Sequence, residues 1–150
     1  MPLQKDLSEF IESLNSQSVD YLIVGAFALA FHGVPRYTGD IEILVRTSPE
    51  NATRVEAAMR AFSFASLGLS AADFMYPDQV IQLGHPPNRI DLLTSITGVT
   101  FEEAWVSGVD GQLHGIPVRF IGREALIRNK RATGRTQDKA DLEALGVEVN

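Results

Sequence analysis

Two acidic residues, Asp40 and Glu42, stand at the head of a stretch that otherwise reads as a strand, Thr38-Gly39-Asp40-Ile41-Glu42-Ile43-Leu44-Val45-Arg46. Residues i and i+2 of a strand point to the same side. Asp40 and Glu42 therefore share one face, and Ile41, Ile43 and Val45 share the other, which is apolar enough to rest on a core. Neighbouring carboxylates repel and need a positive partner. A hard divalent cation such as Mg2+ takes oxygen ligands and suits them. A further aspartate, Asp91, lies inside the apolar run Arg89-Ile90-Asp91-Leu92-Leu93. A mid-strand aspartate is costly in a buried place unless it is paired or binds a metal.

If the two strands are neighbours, Asp40, Glu42 and Asp91 converge. Such a set could hold two metal ions against a nucleoside triphosphate. One ion would neutralise the β- and γ-phosphates, and the other would bridge the α-phosphate and lower the pKa of an attacking hydroxyl. Asp91 would then orient or deprotonate that hydroxyl. The alternative is an acidic patch at a sheet edge, with Asp91 close to a turn. Spacing alone does not separate the two.

The elements that must position these residues follow from periodicity. Apolar residues at 7, 10, 11 and 14 predict an N-terminal helix within residues 1–19. Asp20–Val24 reads as a first strand, followed by Gly25 and a short helix over Phe27–Phe31 that Gly33 and Pro35 end. A strand, a glycine turn and a helix gather backbone N–H groups that can face a phosphate. Ser48 and Pro49 start a helix running to Phe62, with Val55, Ala58, Met59 and Phe62 along one face. Residues 65–75 are ambiguous. Gln79–Leu83 and Arg89–Leu93 read as a hairpin around the proline-bearing turn at residues 85–88. A short helix over Phe101–Val106 places Trp105 on the core. Ile116–Ile121 reads as a last strand, and Pro117 suggests an edge position for it. Helices over Arg123–Arg131 and Thr136–Leu145, separated by Gly134, close the chain, with Ala140, Leu142 and Leu145 towards the apolar side of the second. The expected fold is α+β, a mixed sheet of about five strands with helices on one side. The C-terminal helices, residues 123–145, pack on the same single domain, 1–150.

Composition sets outer bounds. The 150 residues can bury a real core. There is no cysteine, which excludes disulfides, thiolate metal sites and cysteine nucleophiles. No apolar run approaches the roughly 18–20 residues that cross a bilayer, and no membrane partner is expected. The first residues lack the apolar core of a signal peptide, so a cytoplasmic location is expected. The net charge of −6 weighs against broad nucleic-acid binding. Even so, Arg123, Arg128, Lys130, Arg131, Arg135 and Lys139 cluster near the C-terminus.

The segment from Val24 to Val45 resembles the start of a minimal nucleotidyltransferase of the DNA polymerase β-like superfamily. It is most similar to the small nucleotidyltransferases of abortive-infection and toxin–antitoxin systems. Their pattern is an apolar strand, Gly-Gly or Gly-Ser, a short helix with His-Gly, then Arg-x-Thr-x-Asp-hydrophobic-Asp. Gly25, Arg36, Thr38 and Asp40 fall on that pattern, Glu42 falls on its second metal ligand and Asp91 on the third. Lys130 and Gly134-Arg135-Thr136-Gln137-Asp138, continued by Asp141, resemble the family's C-terminal signature. The resemblance spans residues 20–145. Two positions depart from the pattern: Ala26 stands where Gly or Ser is usual, and Glu42 where Asp is usual. Ala26 offers a triphosphate only its backbone N–H, and Glu42 moves its charge out by a methylene, against the tight octahedron that Mg2+ demands.

The resemblance implies an enzyme that moves a nucleoside monophosphate from an NTP such as ATP to a hydroxyl and releases pyrophosphate, with Mg2+ as cofactor. It implies Asp40, Glu42 and Asp91 as catalytic residues and metal ligands, and Gly25, Ala26, Arg36, Thr38, Lys130 and Arg135 as the nucleotide-binding set. Arg36 has a salt bridge to Asp40 as its other role. For Thr38 a structural role at the start of the strand is favoured, and for His32 packing or capping. Lys130 and Arg135 have pairing with Asp138 and Asp141 as the bland alternative. His85 and His114 share no metal-ligand spacing, and Phe62, Phe64 and Phe74 read as core or subunit contacts. The acceptor is an RNA, a protein or a small molecule, with its site on a partner or across a dimer. Ala26 and Glu42 also support a rival reading: a catalytically degenerate module of the same fold that binds or interacts, within a toxin–antitoxin pair or outside one.

Overall fold

The computed structural model describes residues 2–35, 39–61, 68–85 and 88–148. The elements in order are α1 (Pro2–Ser16), β1 (Tyr21–Val24), α2 (Gly25–Phe31), β2 (Ile41–Val45), α3 (Pro49–Ala61), a 3-10 turn (Ala71–Phe74), β3 (Val80–His85), β4 (Asn88–Leu93), α4 (Phe101–Val106), β5 (Val109–Leu113), β6 (Ile116–Phe120), α5 (Arg123–Thr133) and α6 (Thr136–Ala144). Among the described residues, no helix is long and apolar enough to cross a membrane.

The strands form one mixed sheet in the order β3-β4-β2-β1-β6-β5, with helices flanking it and α5 and α6 at its C-terminal end. β1 is antiparallel to β2 and parallel to β6, while β2 is parallel to β4. β3–β4 and β5–β6 are antiparallel hairpins, the first as expected. The sheet has six strands rather than about five. The added strand, β5, is an edge with none of its five residues buried, and its alternation, Val109 and Leu113 about Gly111, is too short to read as a strand. β5 also takes the edge position expected of the Pro117 strand. Pro117 is tolerated one strand inward because β1 meets β6 only at Ile23 and Phe120, beyond the proline.

The core forms where the periodicity places it. Leu7, Phe10, Ile11 and Leu14 of α1 are all buried, as are Val55, Ala58 and Met59 of α3. Burying one such large side chain contributes about 1.5–3 kcal/mol. All four residues of β1 are buried, so the central strand is covered on both faces. Phe74 is fully buried in the 3-10 turn, whereas Phe62 and Phe64 lie outside the described residues. Trp105 stacks on Phe101 and carries the Arg119 guanidinium 4.9 Å from its ring centroid.

One buried polar side chain ties β1, β2 and α3 together. Ser48 Oγ accepts the backbone N–H of Asn51 at the α3 start, at 3.3 Å. The Asn51 side chain accepts from Asp20 N at 2.7 Å and donates to Asp20 O at 3.0 Å and Arg46 O at 2.9 Å. It satisfies backbone groups where β1 begins and β2 ends, beside the one backbone bond there, from Arg46 N to Asp20 O at 3.2 Å. Asn51→Ala removes three hydrogen bonds and leaves Asp20 N and Arg46 O without the Asn51 side chain, while Asp20 O keeps the Arg46 N–H. The expected cost is about 2–3 kcal/mol, read as a lower urea midpoint with an unchanged slope.

Candidate functional site

The parallel pairing of β2 with β4 sets Glu42 directly opposite Asp91. Opposed residues of adjacent strands share a face. The same register puts Asp40, one residue ahead of β2, beside Arg89. Asp40, Glu42, Arg89 and Asp91 thus occupy one face of neighbouring strands, and the strands carrying the acidic residues are adjacent, as the convergence argument requires.

The cation among them is Arg89. Its backbone N–H donates to Asp40 Oδ1 at 3.0 Å, and its Nη2 lies 3.5 Å from Asp40 Oδ2. Its Nε donates to Asp91 Oδ1 at 2.8 Å and Nη2 to Asp91 Oδ2 at 3.3 Å. One residue therefore engages all four carboxylate oxygens of Asp40 and Asp91. The hydrogen bond to Asp91 raises the already high pKa of the guanidinium, so it stays charged. Asp91 is buried at 8% exposure, which makes that pairing necessary.

Glu42 faces a different neighbourhood. Gly25, the first residue of α2, has φ +65°, and a Cβ there would overlap the Glu42 carboxylate. Glycine is required here both for the backbone and for the space. A cleft of about 230 Å³ opens beside it, lined by Gly25, Ala26, Glu42, Asn129, Lys130 and Arg135 among others, but by neither Asp40 nor Asp91.

The floor of the cleft is a buried charge network. Lys130 on α5 is 5% exposed, and its Nζ lies 2.8 Å from Asp141 Oδ2 and 3.5 Å from Asp138 Oδ1. Arg135 Nε and Thr133 Oγ1 donate to Asp138 Oδ2 at 2.8 and 2.6 Å, and Gln137 Nε2 donates to Asp141 Oδ1 at 2.9 Å. Burial pushes the Asp138 carboxyl up, but the hydrogen bonds from Arg135, Thr133 and the Arg135 backbone outweigh it and bring it down to about 2. Asp138 raises the Arg135 guanidinium, with a smaller push from the Glu42 charge. Gly134 ends α5 with φ +63°, which turns the chain so that α6 presents its aspartates to Lys130. The inward face of α6 is thus Asp138, Asp141 and Leu142, while Ala140 is exposed.

Gly25, Ala26, Glu42, Lys130 and Arg135 are brought together around the cleft, and Asp40 and Asp91 meet through Arg89. Arg36 and Thr38 lie outside the described residues. His32 follows the end of α2, and its Nε2–H donates to Ile121 O at 2.8 Å, an anchoring role. Arg89 is the residue the spacing argument passes over, although it stands two positions from Asp91 on the same face. The oxygen donors suit Mg2+ in kind. Among the described residues, no group of three or more acidic or histidine side chains is placed to hold an ion.

The fold is that of nucleotidyltransferase-like proteins. A candidate nucleotidyltransferase from Thermotoga maritima matches with a TM-score of 0.60 at 16% identity, over 92% of this chain and 88% of that one. An antigenic nucleotidyltransferase-like protein from Paracoccidioides brasiliensis matches with a TM-score of 0.54 at 18% identity, over 95% of this chain and 73% of that one. No model of a protein family and no curated protein matches the chain.

Removing one partner of a buried charge network is far more costly than its net contribution. Lys130→Met is expected to destabilise the fold by about 3–5 kcal/mol, measured by chemical denaturation at neutral pH. Asp138 has its pKa lowered from 3.8 to about 2, so it stabilises the fold above its unfolded value. That contribution, roughly 2 kcal/mol, is lost as pH falls from about 4 through 2. Asp138→Asn should flatten this part of the acid-unfolding curve.

Proposed function

We propose that the chain is a catalytically degenerate nucleotidyltransferase-fold module that acts by binding a protein partner. The observation that carries this reading is that the charged groups of the candidate site are engaged with one another. Arg89 holds Asp40 and Asp91, and Lys130 holds Asp138 and Asp141. Metal-dependent transfer needs those carboxylates for cations and those cations for phosphates. Ala26 and Glu42, the two departures from the nucleotidyltransferase pattern, point the same way. The resemblance to toxin-type nucleotidyltransferases makes a toxin–antitoxin partner the class of protein to test.

A second reading is Mg2+-dependent transfer of a nucleoside monophosphate to a hydroxyl of an RNA, protein or small-molecule acceptor. It is favoured by the register that sets Glu42 opposite Asp91, with Asp40 at the head of the same strand. In that reading Asp40, Glu42 and Asp91 would hold the metal. Gly25, Ala26, Lys130 and Arg135 would face the nucleotide, with Arg36 and Thr38 from the adjoining segment.

Titration of the full chain with each NTP, with and without Mg2+, separates the readings when set beside Asp40→Asn. The binding module predicts no Mg2+-dependent NTP binding and no difference between wild type and variant. Magnesium-dependent binding that Asp40→Asn abolishes, with pyrophosphate released in the presence of an acceptor, would establish the transferase instead.

A further inference from the structure

We infer that Arg89 is the resident cation of the carboxylate pair, standing where a divalent ion would have to sit and excluding it. The inference deepens the binding-module reading and rests on it. A carboxylate has two oxygens, and on both Asp40 and Asp91 both oxygens face Arg89, at 2.8–3.5 Å. Mg2+ needs oxygen ligands at about 2.0–2.1 Å in a near-ideal octahedron. An ion that bridges the two carboxylates must compete with the Arg89 N–H groups for the oxygens they already engage. The guanidinium suits this task better than an ammonium would. Its planar fork satisfies several oxygens at once, and it keeps its charge at any pH the fold survives.

The placement is built into the strand pairing. Arg89 and Asp91 are two residues apart on β4 and point to one side, which lets the side chain fold back along its own strand onto Asp91. The parallel register of β2 and β4 delivers Asp40 to the Arg89 backbone N–H, so that the backbone and the side chain of one residue close the same site. With the side chains of Arg89 and Asp40 only 23% and 36% exposed, solvent ions meet carboxylates that a guanidinium already holds.

Mn2+ binding to the full-length protein, followed by the electron paramagnetic resonance of the free ion, tests this directly. Arg89→Gln is expected to bind Mn2+ about tenfold or more tightly than wild type. Asp40→Asn in the same background should erase the gain. Arg89→Lys keeps the charge that folding needs but loses the fork, and it serves if the glutamine variant does not fold. It should bind Mn2+ severalfold more tightly than wild type, with circular dichroism confirming the native fold. Unchanged Mn2+ affinity in the folded variants overturns the inference, as does tight binding by wild type that Asp40→Asn removes. NTP binding and pyrophosphate release are separate readouts. Failure of the partner-binding reading is therefore distinguishable from failure of this one.

Discussion

Carboxylates on a partly buried sheet face need cations, and the structure on either side of the cleft depends on that requirement. Asp91 is placed inside β4 by the apolar residues around it, and once there it must be neutralised. Arg89 does so from two positions away. On the far side, Asp138 and Asp141 are turned inward by α6, and Lys130 is drawn into the protein to meet them. Each cation thereby locks two elements together. Arg89 joins β4 to the start of β2, and Lys130 joins α5 to α6. The price of removing one partner is the stranded charge of the other.

The fold was legible where burial is one-sided and apolar. The spacing of Leu7, Phe10, Ile11 and Leu14 fixes α1, and all four are buried. Ser48 and Pro49 mark the start of α3, and Gly134 marks the end of α5 with a positive φ. Legibility fails where the buried face is polar or where there is no buried face. β5 is an exposed edge whose short alternation, Val109 and Leu113 about Gly111, buries no residue. α6 buries two aspartates beside one leucine, so the apolar rule that picks out Ala140 points at its exposed side. Hydrophobic periodicity cannot register a helix held inward by charge.

The placement of the acidic residues was legible in the sequence, and their pairing was less so. Strand periodicity correctly puts Asp40 and Glu42 on one face, and the apolar setting of Asp91 correctly demands a partner. The identity of the partner depends on register, which a single chain does not disclose. A cation from outside and a guanidinium from the same strand satisfy the same local sequence. The alternative of Lys130 and Arg135 pairing with Asp138 and Asp141 shows the same ambiguity on the helices. Lys130 and Asp141, eleven residues apart, become neighbours because Gly134 folds α6 back on α5, whereas Arg135 reaches Asp138 within the first turn of α6.

Glu42 gives the ambiguity a physical resolution within the chain. An aspartate there would hold its carboxylate close to the β2 backbone, beside Asp91 across the register. The additional methylene of glutamate carries the carboxylate out against Gly25, where only the absence of a Cβ makes room for it. It also brings the charge near Arg135, whose guanidinium it helps to keep protonated. The longer side chain and the bare glycine are therefore two halves of one arrangement. In it the Glu42 charge belongs to the cleft and the C-terminal helices, while Asp40 and Asp91 belong to Arg89. The three acidic residues share a face of the sheet but answer to different cations.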